Sequence, residues 1–361
     1  MKTRVLVVDD SAFMRRVITD IINEEESFEV IDTARNGKEA VEKVKTLKPD
    51  VVTLDVEMPV MDGLDALEKI MDDCPVPVLM LSSVTKEGAD ATIRSLELGA
   101  IDFITKPSSI FKVNTDDVKA ELHEKIKIVR KARLRSVHTR PRVAPKTRPR
   151  PTSRREETRP VTPRSSGGGV LKKIIAIGTS TGGPRALQSV IPMLPGNLDA
   201  SVIVVQHMPK GFTKSLADRM NSMSELNVKE AENNDVLEPG WVYIAPGDYH
   251  LRVIQDRAGY RINLGDDPPV TGHRPSVDAM MYSIADLGTE NIIGVIMTGM
   301  GADGAKGLAN VKQMNKAHII AQDEESCVVF GMPKSAIAEG VVDRVVSLNE
   351  ISNEILKAMG V

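Results

Sequence analysis

The sequence predicts two α/β domains, each built on a doubly wound parallel sheet and joined by a basic linker. Three observations support this prediction. Short runs of valine, isoleucine and leucine alternate with helical patterns over the first 130 residues, and again from Lys173 onward. Between Ser136 and Gly168 the apolar pattern disappears, because six prolines and nine basic residues leave nothing to bury. The length of 361 residues accommodates two domains of ordinary size.

The first domain is predicted to span residues 1–130 and to hold five parallel strands in the flavodoxin-like order 2-1-3-4-5. Five strand–helix repeats in this length fit that order. The last helix carries Val118, Leu122, Ile126 and Val129 on one face. The candidate strands are Arg4–Val8, Phe28–Ala34, Val51–Leu54, Val78–Leu81 and Ile101–Ile104.

Residues 131–169 are predicted to form the linker. Its stretch from 136 to 168 has a local charge of +7 in a chain whose net charge is −3. The rest of the chain is therefore acidic, with a balance of −10. A solvated tether is the simplest interpretation. Contact with a nucleic acid or an acidic membrane surface stays open, because charge in a linker is weak evidence for either.

The second domain is predicted to span residues 170–361 as a larger doubly wound α/β domain. Three buried strands are each followed by a turn marked by Gly or Pro and then by a helical pattern: Ile174–Gly178, Ser201–Gln206 and Asn291–Thr298. A β-rich portion is predicted around Trp241–Ala245, His250–Ile254 and Arg261–Leu264.

Composition excludes several classes of protein. Aromatic residues make up 3% of the chain, too few for a platform that stacks on bases. No run approaches the roughly 18 apolar residues of a membrane helix, and the first apolar run, Val5–Val8, ends at Asp9 and Asp10, unlike a secretory signal. Cys74 and Cys327 are too few for a disulfide scaffold or a cysteine metal cluster. These observations predict a cytoplasmic protein without membrane insertion.

Polar side chains are predicted at the carboxyl ends of four strands in the first domain, where doubly wound sheets bind ligands. They are Asp9, Asp10, Asp55, Ser82 and Lys106. Three carboxylates repel one another unless a cation holds them, and Mg²⁺ suits oxygen ligands and a phosphate. A carboxylate can attack phosphorus to give an aspartyl phosphate. Mg²⁺ and the ammonium of Lys106 can neutralise the transferred group, and the Ser82 hydroxyl can hydrogen bond to it.

The motifs VLVVDDS, LDVEMPVMDG, LMLSS and FITKP resemble those of the receiver domain of two-component response regulators, over about residues 1–125. The resemblance implies that Asp55 accepts a phosphoryl group. The implied ligands of Mg²⁺ are Asp9, Asp10, Asp55 and the backbone carbonyl of Glu57. The implied switch residues of the phosphoryl site are Ser82, Phe103 and Lys106.

The second domain opens with a candidate nucleophile. Residues 178–182 read GTSTG between a buried strand and a helical pattern. This context is required of a nucleophile elbow, in which glycines permit the tight turn and expose Ser180 at a helix N-terminus. The pentapeptide alone also fits a phosphate cradle or a plain turn.

A nucleophilic serine needs a base. His207 directly follows the strand Ser201–Gln206, which places it at a carboxyl end beside Ser180. His250 and His273 are its rivals. Three histidines are less suited, because they lie in the helix and linker after the first domain or inside an apolar run: His123, His138 and His318.

The third member of a triad is a carboxylate that hydrogen bonds to Nδ1 of the histidine and fixes its tautomer. Asp303 qualifies, because it follows the strand Asn291–Thr298 in the loop TGMGADG. A helix N-cap is the simpler interpretation of Asp303 alone. Three glycines around it indicate backbone bent to present N–H groups to an oxyanion: Gly299, Gly301 and Gly304. The order Ser…His…Asp differs from that of an α/β-hydrolase.

The motifs IGTSTGGP, VVQHMP, APGDYH, GHRPSVD and MTGMGADGA resemble the catalytic domain of chemotaxis protein-glutamate methylesterases, the CheB family, from about Lys173 onward. The resemblance implies a catalytic triad of Ser180, His207 and Asp303. It implies that the backbone N–H of Met300 donates to the oxyanion. It also implies three residues near the substrate cleft: Thr181, His273 and Arg274.

The two resemblances together predict a phosphorylation-activated hydrolase of chemotaxis signalling. The expected substrates are glutamyl methyl esters, and glutamine side chains, of methyl-accepting chemotaxis receptors, whose demethylation and deamidation give adaptation. The expected phosphodonor is the chemotaxis histidine kinase. Mg²⁺ is expected at the receiver, and no cofactor for hydrolysis. No nucleic-acid partner is expected, because no short DNA-binding effector follows the linker. The alternatives are a DNA-binding response regulator and an inactive adaptor that only docks on receptors.

Overall fold

The computed structural model describes residues 2–106, 116–132, 171, 173–257 and 259–360. The predicted basic stretch from 136 to 168, with His138 in it, lies outside these residues. Among the described residues, no helix combines the length and the apolar character needed to cross a membrane.

The N-terminal unit, residues 2–106 and 116–132, is a five-stranded sheet in the order β2-β1-β3-β4-β5 with every pair parallel, which confirms the predicted order. Leu122, Ile126 and Val129 of the last helix are buried, as its spacing predicts. The elements are β1 Thr3–Val8, α1 Ala12–Glu24, β2 Phe28–Ala34, α2 Gly37–Leu47, β3 Val51–Asp55, α3 Gly63–Asp73, β4 Val78–Ser82, α4 Lys86–Leu98, β5 Asp102–Thr105 and α5 Asp116–Lys131.

Side-chain caps start the first four helices at defined residues. Each capping oxygen accepts a hydrogen bond from the backbone N–H three residues further on, which satisfies one of the free donors of the first turn. The caps are Ser11, Asn36, Asp62 and Thr85. Three of the caps follow a strand by two or three residues, and Asp62 follows β3 by seven.

The C-terminal unit, residues 171, 173–257 and 259–360, is a seven-stranded parallel sheet in the order β14-β13-β12-β6-β7-β9-β8, with a separate hairpin of β10 and β11. This confirms the predicted α/β class. The elements are β6 Lys173–Thr179, α6 Gly183–Val190, β7 Ala200–Gln206, α7 Phe212–Met223, β8 Asn227–Glu230, β9 Trp241–Ile244, β10 His250–Asp256, β11 Gly259–Gly265, α8 Val277–Ala285, β12 Ile292–Ile296, α9 Ala305–Asn315, β13 His318–Gln322, α10 Met332–Ala338, β14 Arg344–Val346 and α11 Ile351–Met359.

The three segments of the predicted β-rich portion are strands, and they belong to two different sheets. β9, which covers most of the predicted segment Trp241–Ala245, pairs with β7 and β8 in the main parallel sheet. Its residues Val242, Tyr243 and Ile244 are all buried, as in a strand covered on both faces. Only the predicted strands now described as β10 and β11 form a separate antiparallel hairpin.

The two units pack against each other through α4 and β5 on one side and α6 and α7 on the other. The ring of Phe103 lies 4.6 Å from the ring of Phe212, centroid to centroid, and both side chains are buried. At the edge of this apolar contact, the carboxylate of Glu97 accepts hydrogen bonds from the guanidinium of Arg219 at 2.6 and 3.0 Å and from the amide of Gln188 at 2.9 Å. The contact therefore combines a buried aromatic pair with a polar rim.

Candidate functional site

An acidic pocket lies at the carboxyl ends of β1 and β3. Carboxylate oxygens of Asp9, Asp10 and Asp55 lie within 4.8 Å of one another. The ammonium of Lys106 is 2.7 Å from Asp9 and 2.5 Å from Asp55. One ammonium leaves two negative charges unbalanced, so the oxygen donors present, with the Glu57 carbonyl as a further candidate, fit a hard divalent cation. Burial raises the pKa of Asp55 to about 6, although the charge of Lys106 opposes this rise.

Two of the predicted switch residues, Ser82 and Phe103, contact different parts of the structure. The hydroxyl of Ser82 is buried and accepts from the hydroxyl of Thr92 on α4 at 2.6 Å. Its own proton has two acceptors within reach, the carbonyl of Gly88 on α4 at 3.1 Å and the carbonyl of Ser83 at 3.2 Å. Phe103 packs against Phe212 of the C-terminal unit. A rearrangement of these two residues would therefore change both α4 and the contact between the units.

Ser180 lies directly after β6, the central strand between β7 and β12. Its N–H donates to the carbonyl of Thr298 at 3.0 Å, and its own carbonyl accepts from the side-chain amide of Gln206 at 3.0 Å. Gly182, with φ of +78°, turns the chain into α6. A Cβ on Gly299 would lie 2.8 Å from Cβ of Ser180, so a glycine is needed there too. The turn fixes the serine at a helix N-terminus.

His207 follows β7, and its Nε2 lies 2.8 Å from Oδ2 of Asp303, which follows β12. The sequence led us to expect Nδ1 in this hydrogen bond. Because the carboxylate accepts from Nε2–H, Nδ1 is the nitrogen that can take a proton. Nδ1 is buried and has no hydrogen-bond partner among the described residues, and Ser180 lines the same cleft. The roles of the two ring nitrogens are thus exchanged relative to the expectation.

Asp303 is buried, and four donors surround its carboxylate. Oδ1 accepts from the hydroxyl of Ser276 at 2.8 Å and from the N–H of Asp278 at 3.0 Å. Oδ2 accepts from the N–H of Val277 at 2.7 Å as well as from His207. Burial favours the neutral acid, but these hydrogen bonds and the nearby imidazole outweigh it and lower the pKa of Asp303 to about 2. The carboxylate is therefore charged and fixed at neutral pH.

Two backbone N–H groups near Ser180 are free to bind an oxyanion. Those of Thr181 and Met300 make no hydrogen bond with the described part of the chain, whereas the neighbouring N–H of Gly299 donates to the carbonyl of Val329. Thr181 follows Ser180, two residues before α6 begins, and Met300 lines the cleft together with Ser180. Unpaired N–H groups in this position suit a developing negative charge.

His273 and Arg274 also border the cleft. The ring of His273 stacks on that of His207, with 3.9 Å between centroids and 15° between planes. Burial, followed by the effect of the neighbouring imidazole, lowers the pKa of His273 to about 4, so it is neutral at physiological pH. The guanidinium of Arg274 donates to the carbonyls of Asp266 and Asp267 at 2.6 and 3.0 Å. It therefore stabilises the loop that carries His273.

The other described histidines lie away from this cleft. His250 is fully buried, and its Nε2 pairs with the carbonyl of Pro268 at 3.1 Å. His123 pairs with the carbonyl of Ile21 at 2.6 Å inside the N-terminal unit. His318 is half-buried on β13. Of the two rivals named from the sequence, only His273 is close to His207.

The N-terminal unit covers the cleft. The hydroxyl of Thr181 donates to Oδ2 of Asp102 at 2.8 Å, and the ammonium of Lys125 lies 2.9 Å from the same oxygen. The cleft has a volume of about 480 Å³. Its lining comes from both units and includes Asp102, Glu121, Lys125, Ser180, His207, His273 and Met300.

Three residues of the site were not found from the sequence. Gln206 precedes His207 in the quoted motif VVQHMP, and its amide donates to the carbonyls of Ser180 and His207, both at 3.0 Å. Asp278 ends the motif GHRPSVD, so its place in a motif was a signal that could have been used. Asp102 had no such signal, because only the packing of the two units brings it to the cleft.

Comparison with known proteins identifies both units. Residues 175–355 match the family model described as CheB methylesterase, and residues 5–115 match the response regulator receiver domain. The chain is 48% identical over 361 residues to the protein-glutamate methylesterase/protein-glutamine glutaminase of Geobacillus kaustophilus, with 100% of both chains covered. The protein of the same name from Bacillus subtilis is 47% identical over 352 residues, which cover 98% of this chain and 97% of that one.

A solved structure supports the fold of the C-terminal unit. The Thermotoga maritima CheB methylesterase catalytic domain matches with a TM-score of 0.51 and 48% sequence identity. The match covers 52% of this chain and 99% of that one.

Proposed function

This chain belongs to the CheB methylesterase family, and we propose that it is a phosphorylation-regulated protein-glutamate methylesterase and protein-glutamine glutaminase that acts in chemotaxis. One observation carries the proposal. Ser180, His207 and Asp303 follow three adjacent strands, β6, β7 and β12, and the carboxylate holds the imidazole at 2.8 Å. A serine at a helix N-terminus, beside a carboxylate-bound imidazole and unpaired N–H groups, suits acyl transfer.

In the proposed reaction, Ser180 attacks the γ-carbonyl carbon of a glutamyl methyl ester while Nδ1 of His207 takes the serine proton. The N–H groups of Thr181 and Met300 stabilise the tetrahedral oxyanion. The imidazolium then returns the proton to the leaving methanol. Water, deprotonated by His207, hydrolyses the acyl-enzyme. A glutamine side chain passes through the same intermediate and releases ammonia. Every step uses side chains and backbone of this chain, without a cofactor.

The acidic pocket is proposed to accept the phosphoryl group that regulates this reaction. Asp9, Asp10, Asp55 and the Glu57 carbonyl would hold Mg²⁺, which when bound neutralises charge on the phosphoryl oxygens. A carboxylate oxygen of Asp55 attacks phosphorus, the bond from phosphorus to the donor breaks, and the donor leaves as the histidine imidazole of the kinase or as acetate from acetyl phosphate. The ammonium of Lys106 balances the charge that the aspartyl phosphate carries. The buried, cation-paired position of Asp55 supports its assignment as the phosphoacceptor.

The partners in this proposal are methyl-accepting chemotaxis receptors as substrate and the chemotaxis histidine kinase as phosphodonor. The division of the chain is part of it as well, with a receiver over 1–130, a linker over 131–169 and a catalytic domain over 170–361. We place the protein in the cytoplasm, without nucleic-acid partners or membrane insertion. The names of the relatives and the two family matches support these assignments.

The covered cleft supports a proposal that phosphorylation relieves inhibition by the receiver. The receiver contacts Thr181, the residue next to the nucleophile, through Asp102 of β5. Phe103 is the next residue of the same strand and packs on the catalytic unit, and Lys106 follows that strand in the acidic pocket. A rearrangement of β5 on phosphorylation would therefore release both contacts and open the cleft to substrate.

Loss of the contact between Asp102 and Thr181 should activate the unphosphorylated enzyme. We expect Asp102→Ala to raise its esterase activity roughly tenfold, since a hydrogen bond to a charged group contributes about 1.5–3 kcal/mol. The measurement is methanol release from methylated receptor without phosphodonor. Glu24→Ala is the matched control, because Glu24 pairs with Lys119 inside the receiver. Unchanged or lower activity of Asp102→Ala would contradict the closed state.

The direct test of the function is methanol release from methylated receptor membranes by the full-length chain. With acetyl phosphate and Mg²⁺ we expect release at a rate well above that of the unphosphorylated chain. Ammonia release from receptors with glutamine at the same sites tests the second activity. If neither product forms in the presence of the phosphodonor, the proposed function is wrong.

A further inference from the structure

Two buried carboxylates lie at the N-termini of α8 and α9 and each accepts hydrogen bonds from the backbone of the other's segment. Asp303, which precedes α9, accepts from the N–H groups of Val277 and Asp278 at the start of α8. Asp278, in the first turn of α8, accepts on Oδ1 from the N–H of Gly304 at 3.0 Å and of Gly307 at 2.7 Å, at the start of α9. Each carboxylate thus faces the positive end of the opposite helix.

We propose that Asp278 is a positioning residue of the hydrolase, which holds the segment 299–304 so that Asp303 meets His207 and the Met300 N–H faces the cleft. Asp278 touches neither substrate nor nucleophile in this proposal and acts through the loop. The inference rests on the triad of the proposed function, and it adds a residue that the proposed reaction does not use.

The segment from 299 to 304 is attached at both ends. At its start, the N–H of Gly299 donates to the carbonyl of Val329, and the carbonyl of Gly299 accepts from the N–H groups of Gly331 and Met332. At its end, Gly304 donates to Asp278. Both the oxyanion donor and the catalytic carboxylate lie between these attachments. Loss of the Asp278 carboxylate would remove the acceptor for the N–H groups of Gly304 and Gly307, so this end of the segment would be held only through the carboxylate of Asp303 itself.

Glycines at 304 and 307 allow the backbone of α9 to contact the carboxylate of Asp278. Gly304 has φ of +94°, and a Cβ on it would lie 2.6 Å from a methyl group of Val277. A Cβ on Gly307 would lie 2.6 Å from Cβ of Met281 and 3.0 Å from Oδ1 of Asp278. Glycines at both positions let α9 approach the first turn of α8 closely enough for Asp278 to accept two N–H groups.

Two buried carboxylates close to each other, Asp278 and Asp303, cost electrostatic free energy. This cost favours a functional role for Asp278 over a purely structural one. Burial, opposed by the two N–H donors, raises the pKa of Asp278, and the negative charge of Asp303 raises it further. An apolar residue at 278 would avoid this cost but would leave two buried N–H groups unpaired. Asparagine keeps an acceptor oxygen of the same geometry without the charge.

The test is the reaction of the full-length chain, with acetyl phosphate and Mg²⁺, with a fluorophosphonate probe. Ser180 Oγ bonds to phosphorus, fluoride leaves, and His207 takes the serine proton. The final labelled fraction counts folded sites, whereas the rate reports how well the serine is activated. For Asp278→Ala we expect about 10²-fold slower labelling at full final stoichiometry, because small displacements of catalytic groups cost about this factor. For Asp278→Asn we expect a rate within about fivefold of the wild type.

Methanol release gives the second readout. The loss in Asp278→Ala should appear in kcat, with KM within about threefold of the wild type. Glu354→Ala, which removes a buried carboxylate on α11, is the control with an unchanged labelling rate. If a smaller fraction of Asp278→Ala is labelled, but at the wild-type rate, then fewer molecules are folded and the active ones are unaffected. Asp278 would then have a merely structural role, and the inference would be overturned. If the alanine variant does not fold, labelling of Asp278→Asn more than about 30-fold slower than wild type would overturn it. Absence of labelling in the wild type would instead reject the triad itself.

Discussion

Replacement of Ser180 by alanine is expected to lower ester hydrolysis by about 10⁴-fold or more, to the level that binding and the oxyanion donors provide without a nucleophile. His207→Ala should cost about as much, because the serine is a poor nucleophile without a base. The double variant should be no slower than either single variant, since the two residues act as one unit. Methanol release from methylated receptor, with phosphodonor present, measures all three.

Ser189→Ala is the matched control for this loss. Ser189 lies on α6, the helix that follows the nucleophile, and its hydroxyl donates to the carbonyl of Arg185. We expect its activity to stay within about twofold of the wild type, as for most substitutions away from buried networks. A turnover close to that of the wild type in Ser180→Ala or His207→Ala would exclude the proposed triad.

The second large effect concerns phosphorylation. With Mg²⁺ and radiolabelled acetyl phosphate, the wild type should gain a phosphoryl group that hydroxylamine removes, as expected of an acyl phosphate. Asp55→Asn should take up none, because an amide oxygen is too weak a nucleophile to displace the donor. The same variant should show no increase in methanol release when the phosphodonor is added.

Asp73→Asn serves as the control for Asp55→Asn. Asp73 is an exposed carboxylate at the end of α3 that pairs with Lys45, so it tests whether any loss of acidic charge reduces labelling. Its labelling should match that of the wild type. Undiminished labelling of Asp55→Asn, or phosphate that survives hydroxylamine, would reject Asp55 as the acceptor.

Most of the fold was predictable, because parallel strands buried on both faces appear as short apolar runs and the linker has none. The same pattern located the candidate site residues. Asp9, Asp55, Ser180 and His207 were each found as a polar residue at the end of such a run or within two residues after it, and Asp303 was found in the glycine-rich loop that follows one. Chain order alone places carboxyl ends of parallel strands on one edge of a sheet, so no tertiary information was needed.

The features that the sequence did not show depend on the direction of side chains or on the packing between segments distant in sequence. The sequence could not show which imidazole nitrogen of His207 hydrogen bonds to Asp303. The orientation of the ring depends on the positions of the two residues after β7 and β12, which only the structure gives. Trp241–Ala245 was correctly predicted to be β-structure, but the sequence did not show which sheet it joins, because a short apolar run fits either sheet. Asp102 was missed because only the packing of the two units brings it to the cleft, whereas the contact of Asp278 with Gly304 and Gly307 is not visible from its place in a motif.

The contact of β5 with Thr181 has a consequence for the direction in which information flows. If the closed arrangement both covers the substrate cleft and restrains the acidic pocket at Asp55, substrate binding and phosphorylation are thermodynamically linked. Such a linkage acts equally in both directions. A phosphoryl group on Asp55 then favours substrate binding, and a bound receptor segment favours the receiver conformation that accepts phosphate by the same factor. At equilibrium, the receiver conformation that carries a phosphoryl group would in this way be most populated where substrate is bound.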